Sequence, residues 1–128
     1  MKMLTEYERG FLEGIIDGEG CLYVYRSRQQ KKWKHWHVRL AISNNSKELL
    51  EKVERIIGKG SWACKNGKNW ELRYSSNTLR WILPQLSLIA NRAKKKKVLQ
   101  VLEILKCGRN RFTTPYDDKI NDILSCTQ

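Results

Sequence analysis

The chain has 128 residues, 41% of them hydrophobic and 30% charged, which is enough for one compact domain with a core and too few for two. Its 25 Lys+Arg against 13 Asp+Glu leave a formal charge of +12, and so large a surplus on a small domain points to a polyanionic partner, most simply nucleic acid. No apolar run approaches the roughly 20 residues that span a bilayer, and the N-terminal MKMLTEYERGFLEG lacks the apolar stretch of a signal peptide, so the expectation is an intracellular protein, cytoplasmic or organellar, neither secreted nor in a membrane.

The first predicted helix runs from about Thr5, an N-cap followed by Glu6 and Glu8, to about Asp17, with Phe11, Leu12, Ile15 and Ile16 on its apolar side. Gly10, Gly14 and Gly18 recur every fourth residue along one stripe. Each costs the helix about 1 kcal/mol against alanine, so three in register call for a reason. Very close approach of a second helix supplies one; turn glycines at a frayed helix end are the plainer alternative, which suits Gly18 and Gly20 better than Gly10 and Gly14. Strands follow at 21–28 and 33–43. In the first, Leu22 and Val24 lie on one side and Tyr23, Tyr25 and Ser27 on the other. In the second, Trp36, Val38, Leu40 and Ile42 oppose His35, His37, Arg39, Ala41 and Ser43. Asn45 or Ser46 caps a helix over 47–57 that Gly58 ends.

A second hairpin, 61–65 and 69–75, turns at Asn66-Gly67. Trp62, Cys64, Trp70, Leu72 and Tyr74 are expected in the core, and Ser61, Ala63, Lys65, Glu71, Arg73 and Ser75 outside. Ser76 or Asn77 caps a third helix interrupted at Pro84. The lysine run 94–97 opens a fourth, with Val98, Leu99, Val101, Leu102 and Leu105 as its buried stripe. Thr114-Pro115 starts a short last helix that ends near Leu124. The class is α+β, with helices covering one face of a four-stranded antiparallel sheet and the other face basic and open.

The 4 cysteines (Cys21, Cys64, Cys107 and Cys126) are far apart with no C-x-x-C pair, so reduced, buried thiols are expected rather than a zinc cluster. A Cys107–Cys126 bridge is a further option. More unusual is D-G-E-G at the end of the first helix. Asp17 and Glu19 stand where the helix dipole disfavours negative charge. Carboxylates so placed beside a basic surface point to ligation of a hard cation, against the plainer alternative of a turn cap and a solvated acid.

Residues 12–20, Leu12-Glu13-Gly14-Ile15-Ile16-Asp17-Gly18-Glu19-Gly20, resemble the LAGLIDADG homing-endonuclease motif. Phe11 before them and Cys21-Leu22-Tyr23-Val24 after them also fit that family's helix-to-strand passage. The resemblance extends to the αββαββα half-unit, about residues 4–106 of a single 1–128 domain, leaving 107–128 as a C-terminal helical segment. It implies a saddle of antiparallel strands on double-stranded DNA, cut at a long pseudo-palindromic site with Mg²⁺, or with Mn²⁺ or Ca²⁺ in the same positions. The motif occurs once, and single-motif members are homodimers. Gly10, Phe11, Gly14, Ile15 and Gly18 are then the interface, self-complementary about a twofold.

By the same resemblance, Glu19 and the Gly18 carbonyl are metal ligands, Asp17 is structural, Asn44 orients water and Lys94 (Lys96 next) reaches the active site. The motif's second acid is usually Asp, and here it is Glu. The expected DNA contacts are Tyr23, Tyr25, Ser27, Gln29, His35, His37, Arg39, Ser43, Lys65, Glu71 and Arg73. Arg39 and Arg73 suit guanine, Gln29 adenine and Glu71 cytosine, while Arg28, Lys31, Lys32, Lys34, Lys68 and the 94–97 run suit phosphates. Two other readings compete. One is an RNA-splicing maturase or DNA-binding regulator of the same fold without catalysis, and the other a basic RNA-binding structural protein, which explains the charge but not the glycine register.

Overall fold

A computed structural model describes residues 2–26, 36–106 and 114–125. Helix α1 (Glu6–Glu19) begins with a reciprocal cap. The Glu8 N–H donates to the Thr5 hydroxyl (3.1 Å), and the Thr5 N–H donates to the Glu8 carboxylate (3.0 Å). The helix runs two residues beyond the predicted end and passes straight into β1 (Gly20–Arg26). Gly20 makes that joint. It is already extended (φ −90°, ψ 155°), and a Cβ there would lie 2.7 Å from the Ile16 carbonyl oxygen.

Strand β2 (Trp36–Asn44) returns antiparallel to β1, α2 (Lys47–Ile57) crosses over, and β3 (Ser61–Lys65) and β4 (Asn69–Ser75) form the second hairpin. Its turn has Asn66 and Gly67 both at positive φ (56° and 69°), the primed geometry that Asn-Gly favours. The sheet order is β1-β2-β4-β3. After α3 (Ser76–Ile82), Pro84 falls in a 3₁₀ turn (Leu83–Gln85), where its missing N–H is harmless. Helices α4 (Arg92–Lys106) and α5 (Thr114–Ser125) complete the chain.

The core lies between the helices and one sheet face. Leu22, Val38, Leu40, Ile42 and Leu72 meet Leu12 and Ile16 of α1, Leu50 and Val53 of α2, and Val98 and Val101 of α4. The strand alternation follows the sequence pattern there, as does the α+β class. The Tyr74 phenol donates to the Gly58 carbonyl (2.7 Å), and Trp62 Nε1 donates to Glu54 (2.8 Å).

Several expectations are corrected. Cys64 is exposed rather than core, because β3 is an edge strand and Cys64 lies one residue from its end. Cys21 is exposed as well, while Cys107 and Cys126 lie outside the described residues. Ala41, on the open face, is nonetheless buried between its register partners Cys21 and Arg73. Ser46 rather than Asn45 caps α2, and α3 begins at Ser76 with no side-chain cap. Leu99 and Leu105 are only partly buried against the core. Among the described residues, no helix is long and apolar enough to cross a membrane.

Candidate functional site: an acidic cleft beside a basic sheet face

Because α1 ends on β1, its last turn is delivered to one end of the sheet. Asp17 is not free there. Its carboxylate accepts from the backbone N–H of Ile89 (2.7 Å) and Asn91 (3.1 Å) and from Asn91 Nδ2 (3.2 Å). Burial raises the Asp17 pKa, but these donors outweigh it and hold the carboxyl below its ordinary value. One turn earlier, Glu13 accepts from the Ser87 N–H (2.6 Å). These two acids fasten α1 to the segment entering α4, so the structural role expected of Asp17 is the one its contacts describe.

Glu19 is exposed and lines an open cleft of about 400 Å³ with Ser43, Asn44, Asn45, Asn69, Trp70 and Glu71. The structure thus brings Glu19 and Asn44 together, as the sequence reading required. Asn44 Oδ1 accepts from the Ser46 N–H (2.8 Å), which leaves its Nδ2 group available to a cleft ligand. Gly18 sits in the final helical turn, where carbonyls lack donors of the helix's own. Glu19 and Gly18 therefore offer the hard oxygens that Mg²⁺ takes. Among the described residues, no group of three or more His, Cys, Asp or Glu gathers to hold a metal. The second carboxylate of the cleft, Glu71, is only 8% exposed and already accepts from Arg73 Nε and from the Ser43 hydroxyl (3.2 Å). It had been expected outward, facing a base. Its contacts instead tie it to Arg73.

The lysine expectation fares differently. None of the 94–97 run lines the Glu19 cleft. Lys94 and Lys97 border a separate cavity of about 240 Å³ with Leu22, Tyr23, Val24, Val98 and Leu124. Lys95 donates to the Leu86 carbonyl, and Lys96 is exposed.

On the open face, register sets the residues in rows. Ser43 pairs with Glu71, and Ala41 pairs with Arg73 and Cys21. Arg39 lies between Tyr23 and Ser75, and Tyr25 opposes His37. Arg39 donates to the phenol oxygens of Tyr25 (2.7 Å) and Tyr23 (3.3 Å). A polar cavity of about 350 Å³ opens beside it, lined by Arg39, Lys59, Ser61, Arg73, Ser75 and Thr78 among others. Lys65 ends β3 opposite Asn69. Ser27, Gln29 and His35, with Arg28, Lys31, Lys32 and Lys34, fall outside the described residues.

Among the described residues, the glycine stripe is bare. A Cβ added at Gly10, Gly14 or Gly18 would meet nothing within 4 Å. The other two expected interface residues turn toward their own fold. Ile15 is a core residue, and Phe11 stacks on Tyr7 (6.4 Å) with Lys52 Nζ 4.4 Å from its ring centre. Sequence reading missed Ile89, an apolar side chain 78% exposed in the segment that Asp17 holds. It lies in irregular chain, where no periodicity could single it out.

Residues 6–61 match a family model described as the LAGLIDADG-like domain. No curated protein matches. Among solved structures, the homing endonuclease I-TnaI superposes with a TM-score of 0.76 at 20% identity, over 100% of this chain and 92% of its own. The archaeal intron-encoded homing endonuclease I-Vdi141I, complexed with DNA, gives 0.76 at 16% identity over 96% and 87%. The meganuclease I-SmaMI, bound to uncleavable DNA, gives 0.77 at 23% identity over 97% of this chain but 46% of its own. Residues 6–61 therefore carry the similarity to the LAGLIDADG-like domain, and the chain as a whole has the fold of the LAGLIDADG homing endonucleases.

Proposed function

We propose that this chain is one subunit of a homodimer that hydrolyses both strands of a long, partly palindromic DNA duplex with a divalent metal, most simply Mg²⁺. One observation carries the reading. Glu19 ends a helix whose glycine stripe is bare, and it opens into a cleft with Asn44 beside an uncovered basic sheet face.

Two chains paired along Gly10, Gly14 and Gly18 bring two Glu19 carboxylates and two Gly18 carbonyls to the dyad. That completes a hard-oxygen set which one chain holds only in part. These residues would hold Mg²⁺, which when bound acidifies water and stabilises charge on the scissile phosphate. Asn44 Nδ2 then orients the attacking water from the cleft wall. Arg39, His37, Ser43 and Arg73 face base edges, and Lys94 and Lys97 neutralise phosphate charge along the β1 side. In support, I-Vdi141I is complexed with DNA and I-CvuI is in complex with the I-CreI target, both on this fold. The chain also spans about half the length of I-SmaMI.

The test is cleavage of a plasmid carrying the uninterrupted form of the gene that houses this reading frame, with Mg²⁺, by wild type and Glu19→Gln. Wild type is expected to linearise it and Glu19→Gln to bind without cutting. Tight binding to DNA or RNA by both, with cutting by neither, would give the non-catalytic regulator or splicing reading instead.

A further inference from the structure

We infer that Tyr25, assisted by Tyr23, is a positioning residue that fixes Arg39 for reading one guanine in each half of the DNA site. The inference rests on the DNA-binding reading above. Arg39 stands in β2 on the open face, opposite Tyr23 in the register with β1. Its Nη2 donates to the Tyr25 hydroxyl at 2.7 Å and its Nη1 to the Tyr23 hydroxyl at 3.3 Å. The guanidinium carbon also lies 4.8 Å from the Tyr25 ring centre. The rings are themselves braced, with Tyr25 5.1 Å from His37 and 5.8 Å from Tyr23.

Three consequences follow from that chemistry. An arginine on an open strand face must be ordered when it binds, and here two hydrogen bonds hold it in place beforehand. A guanidinium has five N–H donors, of which the phenols take two, and those remaining suffice for a bidentate contact to guanine O6 and N7. The phenols are neutral acceptors, so they orient Arg39 without neutralising it, while the Glu71 carboxylate is in direct contact with Arg73 and acts on Arg39 through its charge. The Tyr23 and Tyr25 oxygens, expected to touch DNA directly, are already engaged with Arg39.

The experiment is selection of bound duplexes from a random library by the full chain, followed by sequencing. Wild type is expected to enrich a twofold-symmetric site with guanine favoured at one position per half. Arg39→Ala should erase that preference. Tyr25→Phe, which keeps the ring and removes only the hydroxyl, should weaken it roughly tenfold at the same position and leave other positions unchanged. Tyr23→Phe should do the same more weakly, and the Tyr25→Phe/Arg39→Ala pair should relax no further than Arg39→Ala. A Tyr25→Phe profile equal to wild type, or one relaxed at a position other than that of Arg39, overturns the inference while leaving the DNA reading intact. A wild-type chain that enriches no symmetric sequence overturns the DNA reading itself.

Discussion

The Asp17 carboxylate and the Ile89 backbone N–H are joined by a 2.7 Å hydrogen bond that ties the end of α1 to the chain entering α4, 72 residues away in sequence. Asn91 strengthens the joint with two further donors to Asp17, and its own backbone carbonyl accepts the Lys95 N–H (2.8 Å) in the first turn of α4. Hydrogen bonds to a charged acceptor are among the stronger ones a protein makes. Asp17→Ala should therefore destabilise the chain by about 2 kcal/mol or more, read as a lower denaturation midpoint with an unchanged slope. An unchanged midpoint would mean that the joint contributes nothing to stability.

Acid sensitivity follows from the same contacts. Asp17 is depressed despite its burial, and Glu8 is depressed by the Thr5 N–H and by Lys2. A carboxyl depressed in the folded state contributes its full stabilisation above the unfolded pKa of about 4. That contribution is lost as pH falls through the lower, folded value. Stability should be level near neutrality and fall below about pH 4, with a shallower fall in Asp17→Asn. Parallel curves for the two proteins would remove Asp17 from the account.

Gly14 separates chain stability from assembly. Nothing lies within 4 Å of a Cβ there, so Gly14→Leu should leave the fold intact, and its better helix propensity adds up to about 1 kcal/mol. In the proposed homodimer the same side chain keeps two helices apart. Sedimentation should show wild type as a dimer and Gly14→Leu as a folded monomer. A Gly14→Leu dimer would place the interface elsewhere.

Gly20 should behave in the opposite way. Its Cβ would stand 2.7 Å from the Ile16 carbonyl oxygen and 3.0 Å from the Ile16 Cα, both backbone atoms that cannot step aside. Gly20→Ala should cost about 2–3 kcal/mol and lower the Tm by several degrees. The residual folded protein should still assemble like wild type.

Much of this architecture was legible because the alternation is strong. Leu22, Val38, Leu40 and Leu72 fall on the core face as their spacing requires, and Asn66-Gly67 turns as its chemistry demands. The meeting of Glu19 with Asn44 was anticipated through the resemblance of residues 12–20 to the LAGLIDADG motif, not through the local pattern. What escaped was lateral. Nothing in the local pattern near Glu71 or Arg73 reveals that the acid is consumed by its neighbour, since that depends on two side chains of one strand leaning together. Cys64 looked like core because alternation reports which face a residue takes, not how far the covering helices extend. The 94–97 lysine run offered four equivalent choices, and helical rotation turned them toward different surroundings.

The direct passage of α1 into β1 at Gly20 has a consequence for the length of DNA that two such chains could grasp. With no linker at that corner, and with Asp17 and Glu13 clamping the helix to the rest of the fold, the sheet of each chain in the proposed homodimer should move with its α1 and not swivel about the dyad. The distance between the two half-sites is then a constant of the backbone, with no elastic adjustment. Inserting or deleting a single base pair at the centre of a target should abolish recognition outright, as with a gauge cut to one dimension.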